Sequence, residues 1–168
     1  MDITDPSVDT LYNYDTDRDA FPGLLIAKGG SGADEADPTK YQAWQTPAFA
    51  ADLIVQGDMT LKIWSATKDF DVGKRGAITV YLRDFDGSGY VEVGSSSLVD
   101  AGWQGGSPSW VLKTLTFSVG PYTVASGHSL ELKIVVQDSA DDDMWFAYDT
   151  SPNRSRVVIP SLGQGPPD

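Results

Sequence analysis

The chain has 168 residues, with 24 acidic side chains against 12 basic ones and a net charge of −12. That length makes one domain, able to bury roughly 70% of the surface its unfolded chain would expose. The acidity excludes nucleic acid and anionic membrane surfaces as partners, since both need a basic footprint. The absence of cysteine excludes disulfides, a thiolate nucleophile and a thiolate metal site.

No apolar run approaches the ~20 residues that would span a bilayer, so no membrane insertion is expected. All but three of the acids (Glu35, Glu92 and Glu131) are Asp. Asp favours turns and loop caps where Glu favours helices. With 17 Gly and 10 Pro, the bias is toward β-sheet joined by acidic loops.

Residues 1–10 are a polar lead-in without a leader-like apolar core, which suits a piece cut from a longer chain. Leu11, Tyr12, Asn13 and Tyr14 could begin a strand. Leu24, Leu25 and Ile26 make a short one, closed by Gly29, Gly30 and Gly32. A helical turn is expected only within residues 33–44, where Asp37 could be an N-cap with Pro38 at the first helical position.

Residues 52–86 carry two strongly alternating runs. Met59, Leu61 and Ile63, then Ile78, Val80 and Leu82, point to one face, while Thr60, Lys62, Trp64, Thr79, Tyr81 and Arg83 point to the other. A period of two over so many residues means half-buried strands. Between them lies a polar loop, 67–75, with Asp69 and Asp71. Asp86 and Gly87 turn the second run into a hairpin over residues 76–94. Residues 95–109 read as a Gly/Ser-rich connection holding Trp103. The strand from Trp110 turns its inward row (Leu115, Phe117, Val119) into the core and ends at Gly120-Pro121. A strong strand after Gly127-His128 has Leu130, Leu132, Ile134 and Val136 inward. A third acidic loop (138–143) and two short strands, around Trp145 and Val157, close the domain. The expected division is a lead-in at 1–10, a β-sandwich at 11–160 and a linker-like tail at 161–168. Strands at this spacing, with no 3.6-residue period, predict an all-β fold of two antiparallel sheets packed as a sandwich.

Chemistry is stated more faintly. Nucleophilic hydrolysis needs Ser or Cys activated by a base; there is one His, His128, placed for packing at a strand start, and no Gly-x-Ser-x-Gly elbow. General-acid carboxyls need apolar burial, and most acids here flank glycines in wet loops. No catalytic residue is therefore assigned, and no enzyme is expected. Calcium takes clustered loop oxygens. Asp15, Asp17 and Asp19, at i, i+2 and i+4, have the spacing of the first half of such a loop, and Ca²⁺ is the expected ion there. Asp69/Asp71 and Asp141, Asp142 and Asp143 are weaker sets. For a carbohydrate ligand, exposed rings must lie beside hydrogen-bonding groups. Trp64 and Tyr81, on the polar parity of strands read as neighbours, could form an outer platform with Lys62 and Arg83. Trp103, beside Gln104, could stack at a rim.

The order of signals from Leu53 onward resembles the jelly-roll domain found at the C-terminus of X-Pro dipeptidyl-peptidases and in many secreted bacterial proteins. The matching features are a Leu-x-x-x-Gly approach (Leu53, Gly57), the Met59 strand and the Asp69/Asp71 loop. The strand ending in Asp84 follows, with Asp86-Gly87, the strand from Trp110, Tyr122-x-Val124, Gly127-His128-x-Leu130 and Val157-x-x-Pro160. Residues 12–41 look more like the openings of bacterial surface-protein modules. The resemblance implies an accessory domain beside a catalytic one. The expected protein is then a non-catalytic module at the cell surface or outside the cell, flanked by other domains of a longer chain. It would act in binding, adhesion or spacing toward a polysaccharide or another surface protein. The alternatives are a carbohydrate-binding or accessory domain of a secreted hydrolase, and a subunit of a surface filament or layer.

Overall fold

Alternation decides which side of each strand is buried, and the buried sides of nine strands meet in one core. The computed structural model describes residues 24–104, 110–147 and 155–162. The strands are β1 (Leu24–Ile26), β2 (Tyr41–Gln45), β3 (Leu53–Thr67), β4 (Gly76–Phe85) and β5 (Tyr90–Asp100). They continue as β6 (Val111–Val124), β7 (Ser129–Val136), β8 (Met144–Ala147), β9 (Arg156–Val158) and β10 (Ser161–Leu162). No helix occurs among the described residues. The expected helical turn is instead a loop in which the Asp37 carboxylate accepts from the Thr39 N–H and hydroxyl, an Asx turn that leads into a strand.

One sheet is built on β3, which pairs with β6 along one edge and with β8, β9 and β10 in turn along the other, β1 extending it beyond β8. The second sheet runs β2-β7-β4-β5. All the pairings are antiparallel, so this is an all-β sandwich, as the alternation predicts. The inward rows are Met59, Leu61 and Ile63 from β3, Ile78, Val80 and Leu82 from β4, and Leu130, Leu132, Ile134 and Val136 from β7, all within one buried cluster.

Three expectations change. First, the two runs of residues 52–86 lie in different sheets, so β3 and β4 face each other across the core instead of pairing. Second, residues 95–100 continue β5 against β4, with Ser95 opposite Tyr81 and Ser97 opposite Thr79. Their small hydroxyl side chains had the composition of a linker but fit an edge strand. Third, Gly120 and Pro121 do not end β6. They fall in a bulge where Val55 opposes Tyr122 and Gly57 opposes Val119. Proline is tolerated there because, among the described residues, β6 bonds only β3 and its other side is an edge.

Every residue of β7 is buried, which two layers alone do not achieve. Residues 28–40 supply the missing cover by crossing the outer face of the second sheet. Gly30 makes the close approach possible: a Cβ there would stand 1.9 Å from Val135 Cγ1, and its N–H donates to the Val136 carbonyl at 2.9 Å.

Candidate functional site

The four residues expected to touch a ligand separate onto three places. Trp103 is a core residue, 1% exposed, and its Nε1–H donates to Ser65 Oγ at 3.0 Å. It therefore forms no rim. The Gly/Ser setting was misleading because the ring turns back beneath Gly76 and not out from the loop.

Arg83 and Tyr81 project from β4 onto the outer face of the second sheet. Arg83 is 5% exposed. Its Nε and Nη2 donate to Glu131 Oε1 at 2.9 and 2.6 Å, and Nη1 donates to the Ala33 carbonyl at 2.8 Å. The guanidinium carbon lies 3.9 Å from the centre of the Tyr90 ring, which stacks on Phe85. Beside it, Lys133 donates to the Ala33 and Glu35 carbonyls at 3.0 and 2.7 Å and stands over Tyr41. Burial, then the nearby Arg83, hold the Lys133 ammonium below its usual pKa. This network clamps residues 33–35 to the sheet. Glu35 completes the loop by accepting from the Asp37 and Ser31 N–H groups, bonds that hold its carboxyl at about 2. Arg83 is thus committed to the clamp, and Tyr81 is half-buried alongside it.

Trp64 lies on the opposite side of the molecule, on the outer face of the β3 sheet. Its neighbours follow from register: Leu112 on β6 beside it, and Lys62 and Thr60 further along β3. Thr114 stands opposite Lys62 and Thr116 opposite Thr60 on β6, while Arg156 and Val158 take the same positions on β9. The Thr60 and Thr116 hydroxyls are 3.4 Å apart, and Asp58 accepts from Ser118. Trp64 is pinned at its backbone, where its N–H donates to Ser155 Oγ, and Ser155 in turn donates to the Ala147 carbonyl. Leu112 is 43% exposed and Val158 56%, so among the described residues this face carries no covering layer of the kind residues 28–40 form on the other. The expected pairing of Trp64 with Tyr81 does not arise. Trp64 instead joins Lys62, Arg156 and a row of hydroxyls, a grouping invisible in sequence because five strands intervene between β3 and β9.

Three carboxylates of the 138–143 loop are engaged by backbone N–H groups, two of them from other segments. Asp141 accepts from the Arg75 N–H at 2.7 Å, Asp143 from the Lys28 N–H at 3.0 Å, and Asp142 from the Asp143 N–H. Among the described residues no group of three or more His, Cys, Asp or Glu side chains is placed to hold a metal. Asp15, Asp17 and Asp19 lie outside the described residues. The His128 Nδ1 is 2.9 Å from Asp84 Oδ1. Asp84, 4% exposed, also accepts from the Tyr122 hydroxyl at 2.8 Å. Burial and then Asp84 push that phenol up to about 12.

No protein-family model matches the chain, and no curated protein matches it. Solved structures do. An aminopeptidase from a marine sediment Thaumarchaeota archaeon superposes with a TM-score of 0.63 at 12% identity, over 83% of this chain and 28% of that one. An α-amino acid ester hydrolase gives 0.62 at 11% identity, again over 83% and 28%. A CocE/NonD family hydrolase from Staphylococcus aureus gives 0.60 at 13% identity, over 73% and 30%. The chain spans less than a third of the length of each. The likeness is one of fold: the sandwich is of the kind these hydrolases carry over part of their length, as the X-Pro dipeptidyl-peptidase resemblance implies.

Proposed function

We propose that this chain is a non-catalytic accessory β-sandwich of a larger secreted or surface protein, and that it binds polysaccharide through the outer face of the β3 sheet. The observation that carries this reading is that face, over which no described residue lies: half-buried Trp64 beside a Thr and Ser row, with Lys62 and Arg156 adjoining. Sugar rings present C–H faces to an aromatic ring and hydroxyls to short polar side chains, so an indole beside hydroxyls matches both. A non-catalytic role is supported by the match of a domain-sized portion of much longer hydrolases. The test is a glycan array and titration of intrinsic fluorescence. Trp64→Ala should abolish both the array signal and the spectral shift while the variant still unfolds in one cooperative transition, at a lower midpoint because a half-buried indole is lost; retained binding in that variant rejects the face.

Calcium is the second part of the reading and rests on the spacing of Asp15, Asp17 and Asp19. Bound cation would neutralise clustered carboxylates and stabilise the folded state by mass action. The expected result is a higher melting temperature in millimolar Ca²⁺ than in EDTA, with the difference gone in the Asp15→Ala/Asp17→Ala variant. Equal melting temperatures in the two buffers would remove calcium from the account.

A further inference from the structure

On the β3 face, Lys62 and Arg156 are direct cross-strand partners. Their positions project to the same outer surface, because the intervening pair, Leu61 and Val157, is buried in the core. Like charges placed directly opposite on adjacent strands destabilise a sheet. The ion pairs among the described residues use Lys68, Arg83, Lys113 and His128; neither Lys62 nor Arg156 is in one. A chain with twice as many acids as bases has thus placed two cations side by side with no carboxylate against them among the described residues. The nearest outward acid on β3, Asp58, is bonded to Ser118.

Resting on the proposed polysaccharide-binding face, we infer that its ligand is a carboxylate-bearing polysaccharide, with the uronate carboxylate held between Lys62 and Arg156 and a neighbouring ring on Trp64. The spacing suits this. Adjacent strands hold the two cations roughly 5 Å apart at their Cβ atoms, close enough for both to reach one carboxylate. Trp64 follows Lys62 by two residues, roughly 7 Å along the strand, on the scale of the step from one sugar ring to the next. Among the described residues the face carries exposed side chains, Leu112 and Val158 among them, which admits an extended chain. Charge complementarity also limits the ligand. Outside this strip the protein is acidic, so a dense polyanion such as nucleic acid is repelled by the remaining surface. A chain whose uronates are separated by neutral or esterified sugars meets the strip with few charges beyond it.

The experiment compares retardation of the protein in affinity gels containing polygalacturonate with gels containing the same polymer fully methyl-esterified. Wild type should be retarded by the acid form and far less by the ester. Lys62→Gln with Arg156→Gln should weaken the acid form's binding about tenfold, and its melting temperature should be equal to or above that of wild type, since a repulsive pair is gone. Equal retardation by both polymers that persists in the double Gln variant but is lost in Trp64→Ala overturns the carboxylate inference and leaves the binding face standing. Absence of retardation by any polysaccharide overturns both. Concentration-dependent self-association that disappears in the double Gln variant, without polymer binding, assigns the strip to a protein contact and likewise overturns the inference.

Discussion

Gly76→Ala is expected to destabilise the domain by about 1–3 kcal/mol, although it adds only one methyl group. The new Cβ would stand 2.3 Å from Trp103 Cδ2 and 2.4 Å from Cε3, so either the strand or the ring must move. The ring is poorly placed to do so. It is 1% exposed, its N–H is bonded to Ser65 Oγ, and Lys113 Nζ lies 4.9 Å from the ring centre. That lysine is itself tied to Asp100 at 2.7 Å, and the Trp103 backbone N–H donates to the Lys74 carbonyl. Removing the ring with Trp103→Ala opens a cavity at the end of the core and should cost about 3–5 kcal/mol. The decisive measurement is the double variant in urea unfolding. The methyl group introduced by Gly76→Ala fits into space that Trp103→Ala vacates, so the double variant should be more stable than the sum of the single losses predicts, by on the order of 1 kcal/mol. Strict additivity would show that the two residues are not in contact and would restore Trp103 as a candidate rim residue.

Trp103 also shows where sequence reasoning stops. Strand parity is a local property, and it correctly placed Leu82, Leu115, Val119 and Ile134 in the core. Sheet membership is not local. Whether β3 pairs with β4 depends on the loop 67–75 crossing from one sheet to the other, and nothing in the residues 52–86 distinguishes that crossing from a hairpin. The consequence for the site was large: Trp64 and Tyr81 share parity yet emerge on opposite faces of the molecule. The register partners that Trp64 does have, Leu112 and Ala147, come from strands distant in the chain. The clamp was hidden for a related reason. The Glu131-Leu132-Lys133 alternation on β7 reads as solvent-facing charge, and only the crossing of residues 28–40 above it turns those charges inward. One signal was available, though it points to burial and not to the clamp itself. Gly29, Gly30 and Gly32 mark a segment whose backbone must pass close to something, and Gly30 passes against Val135.

The second large effect is expected at Glu131, the carboxylate at the centre of the buried clamp. Glu131→Ala should destabilise the domain by about 3–5 kcal/mol, because it leaves the Arg83 and Lys133 cations buried with no counter-charge between them. Arg83 Nη1 also approaches Asp34 at 3.5 Å, but that side chain is fully exposed and contributes little through solvent. The loss should be accompanied by faster proteolysis within residues 31–39, since Arg83 and Lys133 hold that loop through the Ala33 and Glu35 carbonyls. The pH dependence gives the mechanism a sign. Lys133 is already held below its ordinary 10.5 by burial and by Arg83, while Glu131 acts in the opposite direction. Removing Glu131 lowers the folded-state value further. Between that value and the ordinary 10.5 the unfolded chain then binds more protons than the folded one, so stability rises with pH across the window. The gap between Glu131→Ala and wild type should therefore narrow as pH is raised from neutral toward about 10, as read from denaturant midpoints of the two proteins at matched pH. A gap that stays constant would show that the loss comes from packing and broken hydrogen bonds alone, and that Lys133 does not carry an uncompensated charge in the variant.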